Sequence, residues 1–116
     1  MSRRILFVVS GDPRISARPA EAIRIAAGIA AWKTVEVNLC LRDASVLALS
    51  ETPEELIDGD HFIQYLPILR EFSRPVYVEK GTPFLSAIRH PVLEFQELSD
   101  PELADLTARC DYLTRF

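Results

Sequence analysis

At 116 residues, 48% apolar and 26% charged, the chain has the size and composition of one ordered, soluble domain. A chain of that size buries a core without metal or disulfide support. Its formal net charge of −4 argues against a nucleic-acid partner, which would want a basic face. No apolar stretch approaches the roughly 20 residues of a membrane span, because Arg24 and Glu36 interrupt the richest region. The apolar run after Arg3-Arg4 is too short for a signal peptide and meets Asp12 and Arg14 at once, so the expectation is a cytoplasmic protein with one domain over residues 1–116.

Ile5-Leu6-Phe7-Val8-Val9 is apolar at every position. Such a strand must be covered on both faces, which predicts a place inside a parallel sheet with helices on either side. Ligands in these folds bind at the carboxyl ends of the strands, so Ser10-Gly11-Asp12-Pro13 marks a candidate crevice. Pro19 suits the first turn of a helix predicted over 19–32. Ile23, Ala26, Ala27 and Ala30 form one apolar stripe on it, and Ile25, Ile29 and Trp32 a second, which calls for a second burial partner. Trp32 reads as either a core cap or an oligomer contact.

Residues 34–40 alternate, with Val35, Val37 and Leu39 on one face, as in a strand at a sheet edge. A short helix over 42–49 begins near Asp43, and Thr52 is placed to cap the turn that follows. Asp58-Gly59-Asp60 is a turn. Phe62, Leu66, Leu69 and Phe72 then share a helical face that Pro67 is expected to kink or restart. A third strand over 75–79, a loop at 80–83 and a short helix over 84–89 come next. A fourth strand is expected at 92–95. A helix capped by Ser99 or Asp100, with Pro101 at its first position, runs to about Cys110, and a fifth strand covers 112–116. The alternation predicts a three-layer α/β domain with right-handed crossovers and a five-stranded, mostly parallel sheet.

Ser10–Pro13 has neither the three glycines of a dinucleotide fingerprint nor the GK[ST] of a phosphate loop, so a plain strand-to-helix turn is the favoured reading. Asp12, Asp43, Asp58 and Asp60 read as solvated loop carboxylates and no metal is expected. His61 and His90 have no carboxylate or thiol at a recognisable motif spacing and read as surface or capping residues. Cys40 and Cys110 lack metal-ligand spacing and read as free thiols, Cys40 at a strand end on the edge of the sheet where chemistry would sit. No cofactor is expected.

The chain resembles the DsrE/DsrF-like family, which includes the sulfur-relay subunits DsrE, DsrF, DsrH and their Tus counterparts. The resemblance rests on Arg4-Ile5-Leu6-Phe7-Val8-Val9 before a glycine-bearing loop, the helix around Ala20-Glu21-Ala22-Ile23-Arg24-Ile25-Ala26, and strand 35–39 followed by Asp43. The ending Leu103-Ala104-Asp105-Leu106…Cys110-Asp111-Tyr112-Leu113-Thr114-Arg115-Phe116 completes it. It implies a flavodoxin-like sheet, trimers or hexamers, and, in sulfur-transferring members, a persulfide-carrying cysteine just after the third strand. Here that stretch is Tyr77-Val78-Glu79-Lys80-Gly81-Thr82, and Glu79 or Lys80 falls nearest the position.

A carboxylate holds no persulfide. The resemblance therefore implies a binding or assembly subunit, as a homo-oligomer or with paralogous subunits. A divergent sulfurtransferase using Cys40 is one alternative, and a small-ligand or nucleotide sensor using the crevice is another. Flavodoxin-like order places the third strand beside the first. Glu79 would then face Ser10-Gly11-Asp12 with Lys80 as a partner and Asp43 and Thr82 as further crevice residues, a setting that disfavours anionic ligands.

Overall fold

The computed structural model describes residues 3–32, 34–72 and 75–116. The strands are β1 (Arg3–Val9), β2 (Val35–Leu41), β3 (Val76–Glu79), β4 (Gln96–Leu98) and β5 (Tyr112–Arg115). The helices are α1 (Arg18–Ala30), α2 (Gly59–Glu71) and α3 (Asp100–Arg109), with 3₁₀ segments at Asp43–Leu49, Pro53–Glu55 and Pro83–Ala87. The five strands form one sheet in the order β4-β3-β2-β1-β5, and every pairing is parallel. The domain is therefore α/β, as the alternating pattern predicts, and flavodoxin-like in its layering, as the resemblance implies.

The order of the strands corrects two expectations. β2 lies at the centre of the sheet, between β1 and β3, so it is not an edge strand and β3 does not touch β1. Its alternation misleads because one polar position is buried: Asn38 is only 2% exposed, with its side-chain amide 3.4 Å from the Glu36 carboxylate. The chain steps from β1 through β2 and β3 to β4 in one direction. It then returns across the sheet to β5 on the far side of β1. Right-handed crossovers put the helices of the outward steps on one face and the helix of the return step on the other.

The two apolar clusters follow that geometry. Phe7 and Val9 of β1, Val37, Leu39 and Leu41 of β2, and Val76 and Val78 of β3 pack with the buried faces of α1 and α2. Alanines at 20, 22, 26, 27 and 30 let α1 lie close to its neighbours, and each fully buried large side chain such as Phe7 or Ile23 contributes roughly 1.5–3 kcal/mol. Ile25 and Ile29 are half-buried against this cluster, whereas Trp32 is 68% exposed and caps no core. On α2, Phe62 is buried in the cluster and Tyr65 packs partly against it.

On the opposite face Leu6, Val8 and Cys40 meet Leu106 of α3. That helix starts on a capping box: the Ser99 hydroxyl accepts from the Glu102 N–H, and the Glu102 carboxylate accepts from the Ser99 N–H. Ser99 is thus the cap, with Asp100 opening the helix and Pro101 second.

Four local expectations also change. α2 is a single helix that runs through Pro67, with Pro67 on its exposed side. The predicted short helices over 42–49 and 84–89 are 3₁₀ turns, and Thr52 makes no side-chain cap bond to the turn it precedes. The fourth strand is Gln96–Leu98 rather than 92–95. Leu93 instead reaches the core from an irregular segment, held where the Val92 N–H donates to the Leu49 carbonyl.

Candidate functional site

The carboxyl ends of β2 and β3 and the start of α3 bring charged groups together. Arg42 follows β2 directly, Glu79 ends β3 and Asp100 opens α3. The Arg42 guanidinium donates to Glu79 Oε2 from Nη2 at 2.9 Å and from Nε at 3.3 Å. Its Nη2 also lies 3.3 Å from Asp100 Oδ1. The other Glu79 oxygen, Oε1, accepts from the Asp43 N–H at 3.2 Å. Both carboxylate oxygens are therefore engaged, and Glu79 holds Arg42 more firmly in its protonated form.

The backbone beneath this cluster is tightly tied. Asp43 has a φ of +50°, a left-handed conformation that costs a non-glycine residue about 1 kcal/mol. That geometry turns its N–H toward Glu79. The Arg42 N–H donates to the Val9 carbonyl at 2.8 Å. The Ser45 hydroxyl lies 2.6 Å from both the Val9 and Arg42 carbonyl oxygens and donates to one of them at a time. Gly81, at φ +83°, makes the turn after β3 that side chains rarely allow.

The loop after β1 forms a separate unit. Asp12 accepts from Arg14 through Nε at 3.0 Å and Nη2 at 2.8 Å and from the Arg14 N–H at 2.9 Å. Those bonds hold its carboxyl below the usual aspartate range. Arg14 in turn covers the Phe84 ring at 5.5 Å, and Arg18 covers Phe116 at 5.6 Å. The Ser10 N–H donates to the Phe116 carbonyl at 2.9 Å, and a Cβ at Gly11 would sit 3.3 Å from the Pro19 ring, a tight contact that the ring would have to yield to.

Of the residues singled out from the sequence, Asp43 and Glu79 meet, and Ser10, Gly11 and Asp12 share the β1 loop. The two groups are set apart because β2 separates β1 from β3. Glu79 therefore faces Arg42 rather than Asp12, and among the described residues its ion-pair partner is Arg42, not Lys80. The charge balance at this point is not the like-charge pair expected. The Lys80 N–H pairs with the Leu98 carbonyl. Thr82 is buried, and its Oγ1 accepts from the Phe84 N–H to cap the 3₁₀ turn.

Sequence reasoning missed Arg42, Ser45 and Asp100 as members of the cluster. Their only signal was position, directly after β2 or at the head of α3. Cys40 lies one residue before the end of β2 with no exposed surface, under α3. Burial pushes its thiol up to about 11, with Glu79 adding to the rise and Arg42 opposing it. Cys110 is half-buried, and burial raises its thiol as well. Both cysteines are free thiols.

Two cavities lie elsewhere. One, of about 910 Å³, opens beside the amino ends of β3 and β4 between Arg70, Val76 and Phe95. The other, of about 190 Å³, is walled by Phe62, Ile63, Leu66, Val92 and Leu93. Among the described residues, no three His, Cys, Asp or Glu side chains gather as a metal site. Nor is any helix long and apolar enough to cross a membrane.

The five-stranded all-parallel sheet, with α1 and α2 on one face and α3 on the other, defines a three-layer α/β fold. The chain is similar in structure to the ychN protein from E. coli, with a TM-score of 0.79 and 24% identity over 100% of both chains. No protein-family model and no curated protein matches it.

Proposed function

We infer that this protein is a DsrE-fold subunit that works by binding and assembly, as a homo-oligomer or with paralogous subunits, and carries no persulfide. One observation supports the reading above the others. At the end of β3, next to the position where the resemblance places a sulfur carrier, stands Glu79 with both oxygens engaged by Arg42 and the Asp43 N–H. Sulfane sulfur is accepted and passed on by an accessible thiolate. A carboxylate has no sulfur to offer, and the nearest thiol, Cys40, is buried and protonated at neutral pH. The cluster instead ties the ends of β2, β3 and α3 together, as a scaffold requires.

Incubation with a persulfide donor followed by intact-protein mass spectrometry tests this. No gain of sulfur on the native chain is expected, and any trace at Cys110 should vanish in Cys110→Ser. A gain of one sulfur that survives Cys110→Ser and is lost in Cys40→Ser overturns the reading in favour of a divergent sulfurtransferase.

A further inference from the structure

We propose that the cavity of about 190 Å³ beside α2 is a binding site for a compact, uncharged aromatic molecule that carries a single N–H or O–H donor. The inference is independent of the assembly reading above. Ala48, Phe62, Leu66 and Leu93 are buried and form the floor of the cavity, while Ile63 and Val92, 61% and 40% exposed, stand at its mouth. None of the side chains that wall it is charged.

The walls are fixed from two sides. The Val92 N–H donates to the Leu49 carbonyl at 3.0 Å, which pins the segment before β4. Across the cavity, Pro53 lies so close to the start of α2 that a Cβ at Gly59 would collide with the Pro53 carbonyl. A pocket held in this way is formed before a guest arrives, so binding bears little of the cost of ordering it.

The polar groups at the wall select the guest. The Ile63 carbonyl is directed along the helix at Pro67, which has no N–H to give it, and both residues line the cavity. The Ser50 hydroxyl, also in the wall, is already engaged: its Oγ lies 3.0 Å from Thr52 Oγ1 and accepts from the Thr52 N–H at 3.1 Å. One acceptor in want of a donor, set among apolar side chains, is a poor site for a water molecule, which needs about two to four polar partners. It suits a flat apolar body with one donor. Size sets the upper limit. An apolar cavity of about 150 Å³ takes up benzene, so this one admits a single ring or a fused pair. A nucleotide is too large for it, since sites for molecules of that size start near roughly 300 Å³.

Indole and indene, an isostere without the N–H, are the probes, each titrated into the full chain and followed by amide chemical shifts. Indole is expected to saturate, to move the amides of Ile63, Leu66 and Leu93, and to raise the thermal midpoint. Ile63→Trp, at an exposed position, should plug the mouth and weaken both probes at least tenfold. Pro67→Ala returns an N–H to the Ile63 carbonyl and should lower indole affinity relative to indene by about threefold.

Shifts that fail to saturate at millimolar indole, that map elsewhere, or that persist in Ile63→Trp overturn the site. An indole-to-indene ratio that is the same in Pro67→Ala overturns the donor requirement and with it the class of ligand. Loss of assembly mass on adding indole would give the cavity to a side chain of a second copy, and would overturn the ligand site while leaving the assembly reading in place.

Discussion

Arg42 governs its neighbourhood because each of its contacts closes a different part of the sheet edge. Its guanidinium holds Glu79 and Asp100, and its N–H holds the end of β1 through the Val9 carbonyl. Beneath it, Cys40 adds a pH dependence of its own. The unfolded thiol titrates near 9.0 and the native one near 11, so the unfolded chain sheds this proton first. The contribution to stability is full below pH 9, falls as the pH rises from 9 to about 11, and is gone above. Two units correspond to about 3 kcal/mol. In a Cys110→Ser background, urea midpoints at about pH 8 and about pH 10.5 should fall more for the chain with Cys40 than for Cys40→Ala. Equal losses in the two would show that Cys40 is more accessible than its packing implies.

Element by element, the sequence is easiest to read where local chemistry and burial agree. The apolar run of β1, the alanine stripe of α1 and the Ser99-Asp100-Pro101 start of α3 each point one way, and each element forms where expected. β4 was misplaced because residues 92–95 carry the apolar pattern, yet Leu93 finds its burial without joining a ladder. The strand forms at the more polar 96–98, supported from one side only by β3. The central place of β2 was hidden for a related reason, since Asn38 satisfies itself through Glu36 and so survives burial.

The Arg42–Glu79–Asp100 cluster was half legible. Glu79 was visible as a strand-end residue, but its partner depends on which strand lies alongside, and crossover order leaves no local mark. α2 offers a test at this scale. Pro67 lies inside the helix on its exposed side and deprives the Ile63 carbonyl of its i+4 donor. Pro67→Ala should therefore stabilise the fold by about 1–3 kcal/mol in urea unfolding. A loss of stability would mean that the proline ring fits a contact the helix needs.

Taken as a whole, the molecule is lopsided. Two helices cover one face of the sheet and one covers the other, and large apolar side chains stand in solvent on the two-helix layer. Trp32 is 68% exposed and Ile63 61% exposed, more than a lone subunit gains by keeping wet, and aromatic anchors of this kind dominate protein contacts. Trp32→Ser is expected to lower the assembly mass read by light scattering. An unchanged assembly mass would remove Trp32 from the contact.

Of the five strands β1 is made before the others and has β2 on one side within a few dozen residues, but its other neighbour lies far along the chain. The Arg4 N–H meets Asp111 across a separation of 107 residues. At a synthesis rate of about 5–20 residues per second, that neighbour follows roughly 5–20 s later. Through that interval the growing chain carries an open strand edge beside Leu6 and Val8, with α3 not yet made to cover them. Slow translation of the stretch after β4 would lengthen this exposure, and holding chaperones have their natural window there. The sheet closes only when β5 slides in beside β1.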